Sequence, residues 1–145
     1  VPSASDAAPV GTEHLLLVDD EVAIVRMGAQ MLERLGYRVT TCTGSIEALS
    51  LFRERPDGFD GVITDMTMPD MTGAQLSAEL VKIRPELPII ICTGFSEHMD
   101  AGQAEAMGIR GFLTKPVVRS QMAQTIRRVL DRREACGAAA ASASG

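Results

Sequence analysis

Residues 62–73 read VITDMTMPDMTG: an apolar segment stops at Asp65, and a proline-containing loop then leads to a glycine. The β-branched residues before the aspartate are typical of a buried strand. From residue 73 to residue 84 apolar residues recur at helical spacing, and Pro85 ends that pattern. The stretch therefore predicts a strand, a loop that begins after a carboxylate, and a helix.

The same succession of strand and helix recurs along the chain. Further strands are predicted at residues 14–20, 37–42, 87–93 and 111–114. Further helices are predicted at residues 22–35, 45–55, 96–108 and 119–135, with Asp20 and Ser45 as caps of the first two. Because parallel neighbours need helical crossovers, this alternation predicts an α/β fold, a five-stranded parallel sheet with helices on both faces.

The composition is that of an ordinary globular domain, with 145 residues, of which 46% are hydrophobic and 23% charged. The net charge of −5 argues against nucleic-acid binding, and the apolar runs are too short to span a bilayer. The three cysteines have neither zinc-site nor redox spacing. Cys42 and Cys92 are therefore predicted to be buried thiols in a reducing cytoplasm.

Two low-complexity segments frame the domain. Residues 1–13, VPSASDAAPVGTE, are rich in Pro, Ala and Ser and are predicted to be a linker. Residues 136–145, CGAAAASASG, are predicted to be a disordered tail. The folded domain is expected to occupy residues 14–135.

Polar side chains stand at the ends of four of the predicted strands. They are Asp19 and Asp20 after the first strand, Asp65 after the third, Thr93 after the fourth, and Lys115, followed by Pro116, after the fifth. Ligands of open α/β sheets bind beyond the carboxyl ends of the strands, where these residues should meet. Crowded carboxylates repel unless a cation is present, and Mg²⁺ prefers oxygen ligands. A reachable carboxylate beside Mg²⁺, Lys and Thr suits phosphoryl transfer.

Four motifs carry a family resemblance: LLVDDE (16–21), VITDMTMPDMTG (62–73), IICTG (90–94) and FLTKP (112–116). In this order, each at a strand end, they make the chain resemble a response-regulator receiver domain over almost all of residues 14–131. The resemblance implies a flavodoxin-like (βα)5 fold with strand order 2-1-3-4-5.

The resemblance also implies a role for each polar residue at the strand ends. Asp65 would be the phosphoacceptor. Asp19, Asp20 and Asp65 would bind Mg²⁺ (or Mn²⁺), together with the backbone carbonyl of Met66. Gly73 and Pro69 would turn the loop so that this carbonyl points inward.

Further roles concern the phosphoryl group and the switch. Thr93 and Lys115 would contact the phosphoryl group, and the bond between Lys115 and Pro116 would be cis. Phe112 lies where the family keeps a switching aromatic residue, and with Thr93 it would form the switch. Because Phe112 lacks a hydroxyl, switching would depend on burial of the ring alone.

The function implied is that of a phosphoacceptor in a two-component phosphorelay. A histidine kinase or a histidine phosphotransfer domain would supply the phosphoryl group from a phosphohistidine. Phosphorylation would reshape the face formed by the fourth helix, the fifth strand and the fifth helix. The domain would catalyse its own phosphorylation and dephosphorylation without turning over external substrates, and would contact neither nucleic acid nor membrane.

Alternatives stay open at several levels. The parent protein would be a hybrid sensor histidine kinase, or instead a stand-alone or effector-trimmed response regulator. The domain itself is expected in the cytoplasm, and membrane attachment of the parent protein is left open. A receiver that is never phosphorylated and serves as a binding module is a further alternative. An aspartate-nucleophile phosphatase would need a second Asp where Thr67 stands. A flavin or nucleotide binder would need a phosphate-binding first loop in place of DDEVA (19–23). The oligomeric state is not predicted.

Overall fold

The computed structural model of the protein describes residues 13–94, 108–114 and 117–144, and beyond Asp131 only the backbone. The fourth predicted helix (96–108) lies outside the described residues except for Gly108. Lys115 and Pro116 also lie outside them, so their predicted roles and the predicted cis bond stay predictions.

The described residues contain five β-strands, all paired in parallel. They are β1 (His14–Val18), β2 (Arg38–Cys42), β3 (Gly61–Asp65), β4 (Ile89–Thr93) and β5 (Ile109–Thr114). Their order in the sheet is β2-β1-β3-β4-β5. The predicted α/β class and the strand order implied by the resemblance are both confirmed.

Helices cover both faces of the sheet. They are α1 (Val22–Arg34), α2 (Ser45–Glu54), α3 (Gly73–Ile83) and α4 (Arg119–Ser144), the last being the fifth helix of the sequence-based prediction. One core lies on the α2 and α3 side and includes Leu16, Phe52 and Leu80. The other lies on the α1 and α4 side and includes Leu17, Leu32 and Ile126. Burial from both sides explains why β3 and β4 are apolar without alternation.

Helices α1 and α2 begin at the predicted residues, but both predicted N-caps are wrong. Gly36 has a φ of 97° after the last turn of α1, a conformation that suits glycine. The N-cap of α1 is Glu21 and that of α2 is Gly44, in place of the predicted Asp20 and Ser45. Ser45 is instead a buried residue of the first turn of α2.

Helix α4 continues to Ser144 and so includes the low-complexity segment for which we predicted disorder. Alanine has the highest helix propensity, and extending an existing helix needs no new nucleation. Among the described residues, no helix is both long enough and apolar enough to cross a membrane.

Both cysteines for which burial was predicted are buried, which confirms that prediction. Cys42 ends β2, and burial raises the pKa of its thiol to about 11, with the negative charge of Glu47 adding to the rise. The thiol is therefore protonated, and chemically inert, at neutral pH.

Candidate functional site

Three carboxylates meet at the carboxyl edge of the sheet. Each of Asp19, Asp20 and Asp65 offers an oxygen atom that lies within 4.8 Å of those of the other two. The register of the sheet explains this, because Val18 of β1 stands opposite Thr64 of β3, so that Asp19 and Asp65 follow side by side. The sequence-based prediction that these three residues converge is confirmed, and we call them the acidic cluster.

The members of the acidic cluster differ in exposure. Asp19 and Asp65 are each 4% exposed, whereas Asp20 is exposed to solvent. Asp19 accepts a hydrogen bond of 2.9 Å from the backbone N–H of Glu21, which fixes its carboxylate at the start of α1. Two buried carboxylates and a third this close repel one another, and a divalent cation would relieve that repulsion. The donor set therefore fits a hard cation that approaches from the side of Asp20.

The start of α3 lies directly against the backbone of Asp65. A Cβ atom at Gly73 would lie 2.3 Å from the carbonyl oxygen of Asp65, so a larger residue cannot be placed there without a shift of the backbone. The N–H of Gly73 donates to the carbonyl oxygen of Met66 at 2.8 Å, and the N–H of Met66 donates to the carbonyl oxygen of Cys92 at 3.0 Å. Gly73 thus sets the position of the loop that follows Asp65.

The methionines of this loop serve packing. Met68 is buried in the core on the α2 and α3 side, and Met66 and Met71 pack against the same core. Pro69 and Asp70 are exposed. Met68 and Met71 therefore anchor the loop in the core on the α2 and α3 side.

Thr93 lies beside the acidic cluster on the next strand. It is the last residue of β4 and 8% exposed. Its neighbour Cys92 stands opposite Asp65 in the register, so Thr93 extends one residue further at the same edge. Thr93 in turn stands opposite Thr114, the last residue of β5. Lys115 follows Thr114 in sequence, beyond the described end of that strand.

Phe112 lies in the middle of β5 and is 38% exposed. The strand alternates buried and exposed residues, with Gly111 and Leu113 directed to the core on either side of Phe112. The aromatic ring predicted to switch is therefore outside the core in this structure.

A cavity of about 490 Å³ opens beside Asp19 and Asp65, between α1 and the start of α4. Its walls are otherwise almost wholly apolar and include Met27, Met31 and Met122. Sequence patterns did not indicate this cavity, because helical periodicity predicts which face of a helix turns inward but not how closely two helices meet.

Comparisons with known proteins identify the family of the chain. The pattern of the family described as "Response regulator receiver domain" matches residues 15–127. The chain therefore belongs to the response regulator receiver domain family. Among solved structures it is similar to a response regulator receiver domain protein from Clostridium thermocellum, with a TM-score of 0.80 and 33% identity over 86% of this chain and 98% of that one.

Two curated relatives are proteins of different kinds. The chain is 34% identical over 134 residues to the sensor kinase CckA of Brucella abortus, covering 92% of this chain and 14% of that protein. It is 37% identical over 119 residues to the transcriptional regulatory protein GlrR of Escherichia coli, covering 82% of this chain and 26% of that protein. The chain thus spans about a quarter or less of the length of these relatives.

Proposed function

We propose that the chain accepts a phosphoryl group on Asp65 from a phosphohistidine of a histidine kinase or a histidine phosphotransfer domain. The observation that carries the proposal is the acidic cluster, in which two buried carboxylates and an exposed one lie within 4.8 Å at the carboxyl edge of the sheet. Membership of the receiver family supports the same reading.

The acidic cluster would hold Mg²⁺ or Mn²⁺ through the carboxylates of Asp19, Asp20 and Asp65. The bound ion would neutralise charge on the phosphoryl oxygens. The Met66 carbonyl, predicted as a further ligand, already accepts the Gly73 hydrogen bond. A backbone ligand would therefore come from its second lone pair or from the carbonyl of Thr67, the next residue of the loop.

The chemical step joins Asp65 to the phosphorus of the donor. A carboxylate oxygen of Asp65 attacks the phosphorus in line with the phosphorus–nitrogen bond of the donor. That bond breaks, the electron pair stays on the imidazole, and an aspartyl phosphate forms. Thr93 and Lys115 would bind the remaining phosphoryl oxygens, Thr93 as a hydrogen-bond donor and Lys115 as a cation.

The switch would use the outward position of Phe112. A phosphoryl group on Asp65 would draw the Thr93 hydroxyl toward it, and the ring of Phe112 would turn into the space that is vacated. The face formed by the fourth predicted helix, β5 and α4 would change shape as a result.

Labelling by acetyl phosphate tests the proposal. The wild-type chain should become phosphorylated when Mg²⁺ is present and should remain unlabelled when EDTA removes the metal. Asp65→Asn should abolish labelling. Asp70→Asn, an exposed carboxylate of the same loop, is the matched control and should be labelled as the wild type is. Full labelling of Asp65→Asn would contradict the assignment, and absence of labelling in the wild type would favour the alternative of an unphosphorylated binding module.

We further propose that the parent protein is a hybrid sensor histidine kinase in which this domain is the receiver and lies in the cytoplasm. The likeness to a sensor kinase over 92% of this chain supports that reading. The similar likeness to a transcriptional regulatory protein supports the alternative of a response regulator with an effector domain. The complete open reading frame tests the two, since only the first predicts a histidine kinase core in the same chain.

A further inference from the structure

One side chain of the last helix connects it to the start of the described chain. Nη1 of Arg127, in α4, lies 2.8 Å from Oε1 and 2.9 Å from Oε2 of Glu13. It also lies 3.4 Å from the hydroxyl oxygen of Tyr37, and Nη2 donates to Asp131 at 2.6 Å. The guanidinium thus joins a residue before β1, a residue before β2 and its own helix.

This contact differs from an ordinary surface ion pair. The side chains of Arg127 and Glu13 are only 16% and 19% exposed, so water screens their interaction incompletely. The hydrogen bonds that Arg127 donates to Glu13 and Asp131 raise the pKa of its guanidinium above the ordinary value, and burial raises the pKa of Tyr37. The guanidinium is therefore charged and the phenol neutral at physiological pH, which favours a persistent network.

Glu13 is held a second time through its backbone. The N–H of Arg38 donates to the carbonyl oxygen of Glu13 at 3.0 Å. This bond continues the ladder between β1 and β2 beyond His14, which stands opposite Arg38. The main chain of Glu13 is therefore bonded to the sheet, whereas its side chain is bonded to α4. A movement of α4 across the sheet must break the side-chain contact or disturb the first bonds of the ladder.

We propose that Glu13, Tyr37 and Arg127 form a latch that couples Glu13, the residue before β1, to the seating of α4 on the sheet. Loosening either end of the latch should loosen the other. The latch does not involve the acidic cluster, because Glu13 precedes the amino end of β1 and the cluster follows its carboxyl end.

The latch also has a consequence for signalling, which, unlike the latch itself, rests on the proposed function. Helix α4 packs closely on β5 at Gly111, where an added Cβ would lie 3.1 Å from Thr125 and 3.0 Å from Val129. A change in the face around Phe112 that moves α4 would therefore reach Glu13 through Arg127.

Hydrogen exchange measured by mass spectrometry on the full chain tests the latch. Glu13→Gln should speed exchange of the amides of residues 119–131, although the changed residue is far from them in sequence. Arg127→Gln should speed exchange of residues 13–16. Each increase should be about fivefold, the effect of losing about 1 kcal/mol of local stability. Arg128→Gln, an exposed neighbour in the same helix, is the matched control and should change neither region.

Two results would overturn the proposal. One is a Glu13→Gln variant in which exchange of residues 119–131 equals that of the wild type. The other is an Arg128→Gln variant that loosens both regions as much as Arg127→Gln does. If Arg127→Gln fails to fold, Glu13→Gln decides alone. Both latch variants should still be labelled by acetyl phosphate, so a failure of the latch and a failure of the proposed phosphorylation are separate results.

Discussion

At the scale of single residues, the acidic cluster owes its chemistry to where its members stand. Asp65 alone is a carboxylate at the end of a buried strand, and many such residues have no chemical role. Beside Asp19 and Asp20 it becomes one of three charges within 4.8 Å. The sequence allowed this to be predicted, because the carboxyl ends of parallel strands meet at one edge. Exposure could not be predicted, and it is what distinguishes Asp20 from its two buried neighbours.

Asp19→Asn tests the repulsion within the cluster. The amide oxygen can still accept from the N–H of Glu21, so the local turn should persist. In metal-free buffer the free energy of unfolding should rise by roughly 1–3 kcal/mol, because one of the crowded charges is gone. Affinity for Mg²⁺ should fall by at least about tenfold. Urea denaturation and metal titration measure these effects, with Asp70→Asn as the control that should change neither. A destabilised Asp19→Asn variant with wild-type metal affinity would contradict this account.

Cys42 should make stability depend on pH in the alkaline range. Its pKa rises from the usual 9.0 to about 11 in the folded chain. Below pH 9 both the folded and the unfolded chain keep the proton, so the contribution is complete. As pH rises from 9 to 11 the unfolded chain loses its proton first, so the contribution of the Cys42 thiol to the free energy of unfolding is lost. Cys42→Ala should therefore show a smaller fall in the free energy of unfolding across this window than the wild type. Equal slopes in urea denaturation at pH 8, 9 and 10 would refute the assignment.

At the scale of elements, the connection from β3 to α3 shows what local sequence can and cannot predict. Strand β3 ends at Asp65 as predicted, because its apolar run stops at a polar loop. The capping box of Thr72 and Gln75 at the start of α3 was missed, although its residue types could have indicated it. The wrong caps of α1 and α2 have another cause: neither Glu21 nor Gly44 makes a side-chain capping bond, so the side-chain preference behind the prediction does not apply.

Gly73→Ala tests the contact between α3 and Asp65. The added Cβ would lie 2.3 Å from the Asp65 carbonyl oxygen, so the substitution should destabilise the protein by about 1–3 kcal/mol. It should also slow labelling by acetyl phosphate, because the loop after Asp65 must shift. Gly44→Ala is the matched control, since in the described part of the chain its Cβ would meet no atom within 4 Å. Thermal unfolding of the two variants side by side measures the difference, and equal stabilities would contradict the close contact.

At the scale of the whole molecule, the family resemblance predicted the order of the strands, whereas nothing in the sequence predicted the spaces between helices. Continuous apolar strands predicted burial on both faces, and the two cores agree with that. The cavity beside Asp19 and Asp65 depends on how far α1 and α4 stand apart, which no periodicity in the sequence encodes. The extension of α4 to Ser144 was missed because low complexity was taken to mean disorder, although alanine continues a helix readily.

Mg²⁺ should stabilise the whole domain, because the proposed site is a cluster that exists only in the folded chain. At a concentration of 100 times its Kd, the free energy of unfolding should rise by about 2.7 kcal/mol. The thermal midpoint of the wild type should rise with Mg²⁺ and return to its starting value when EDTA is added. A thermal midpoint that does not change when Mg²⁺ is added would argue against a metal site at the acidic cluster.

The central claim is that Asp65 is the residue that carries the phosphoryl group. The most direct measurement is to phosphorylate the wild-type chain with acetyl phosphate and Mg²⁺, reduce the aspartyl phosphate with borohydride, and locate the resulting homoserine by tandem mass spectrometry. The account predicts homoserine at position 65 alone, and none when EDTA replaces Mg²⁺. Homoserine at Asp19, Asp20 or Asp70 with none at position 65 would contradict it.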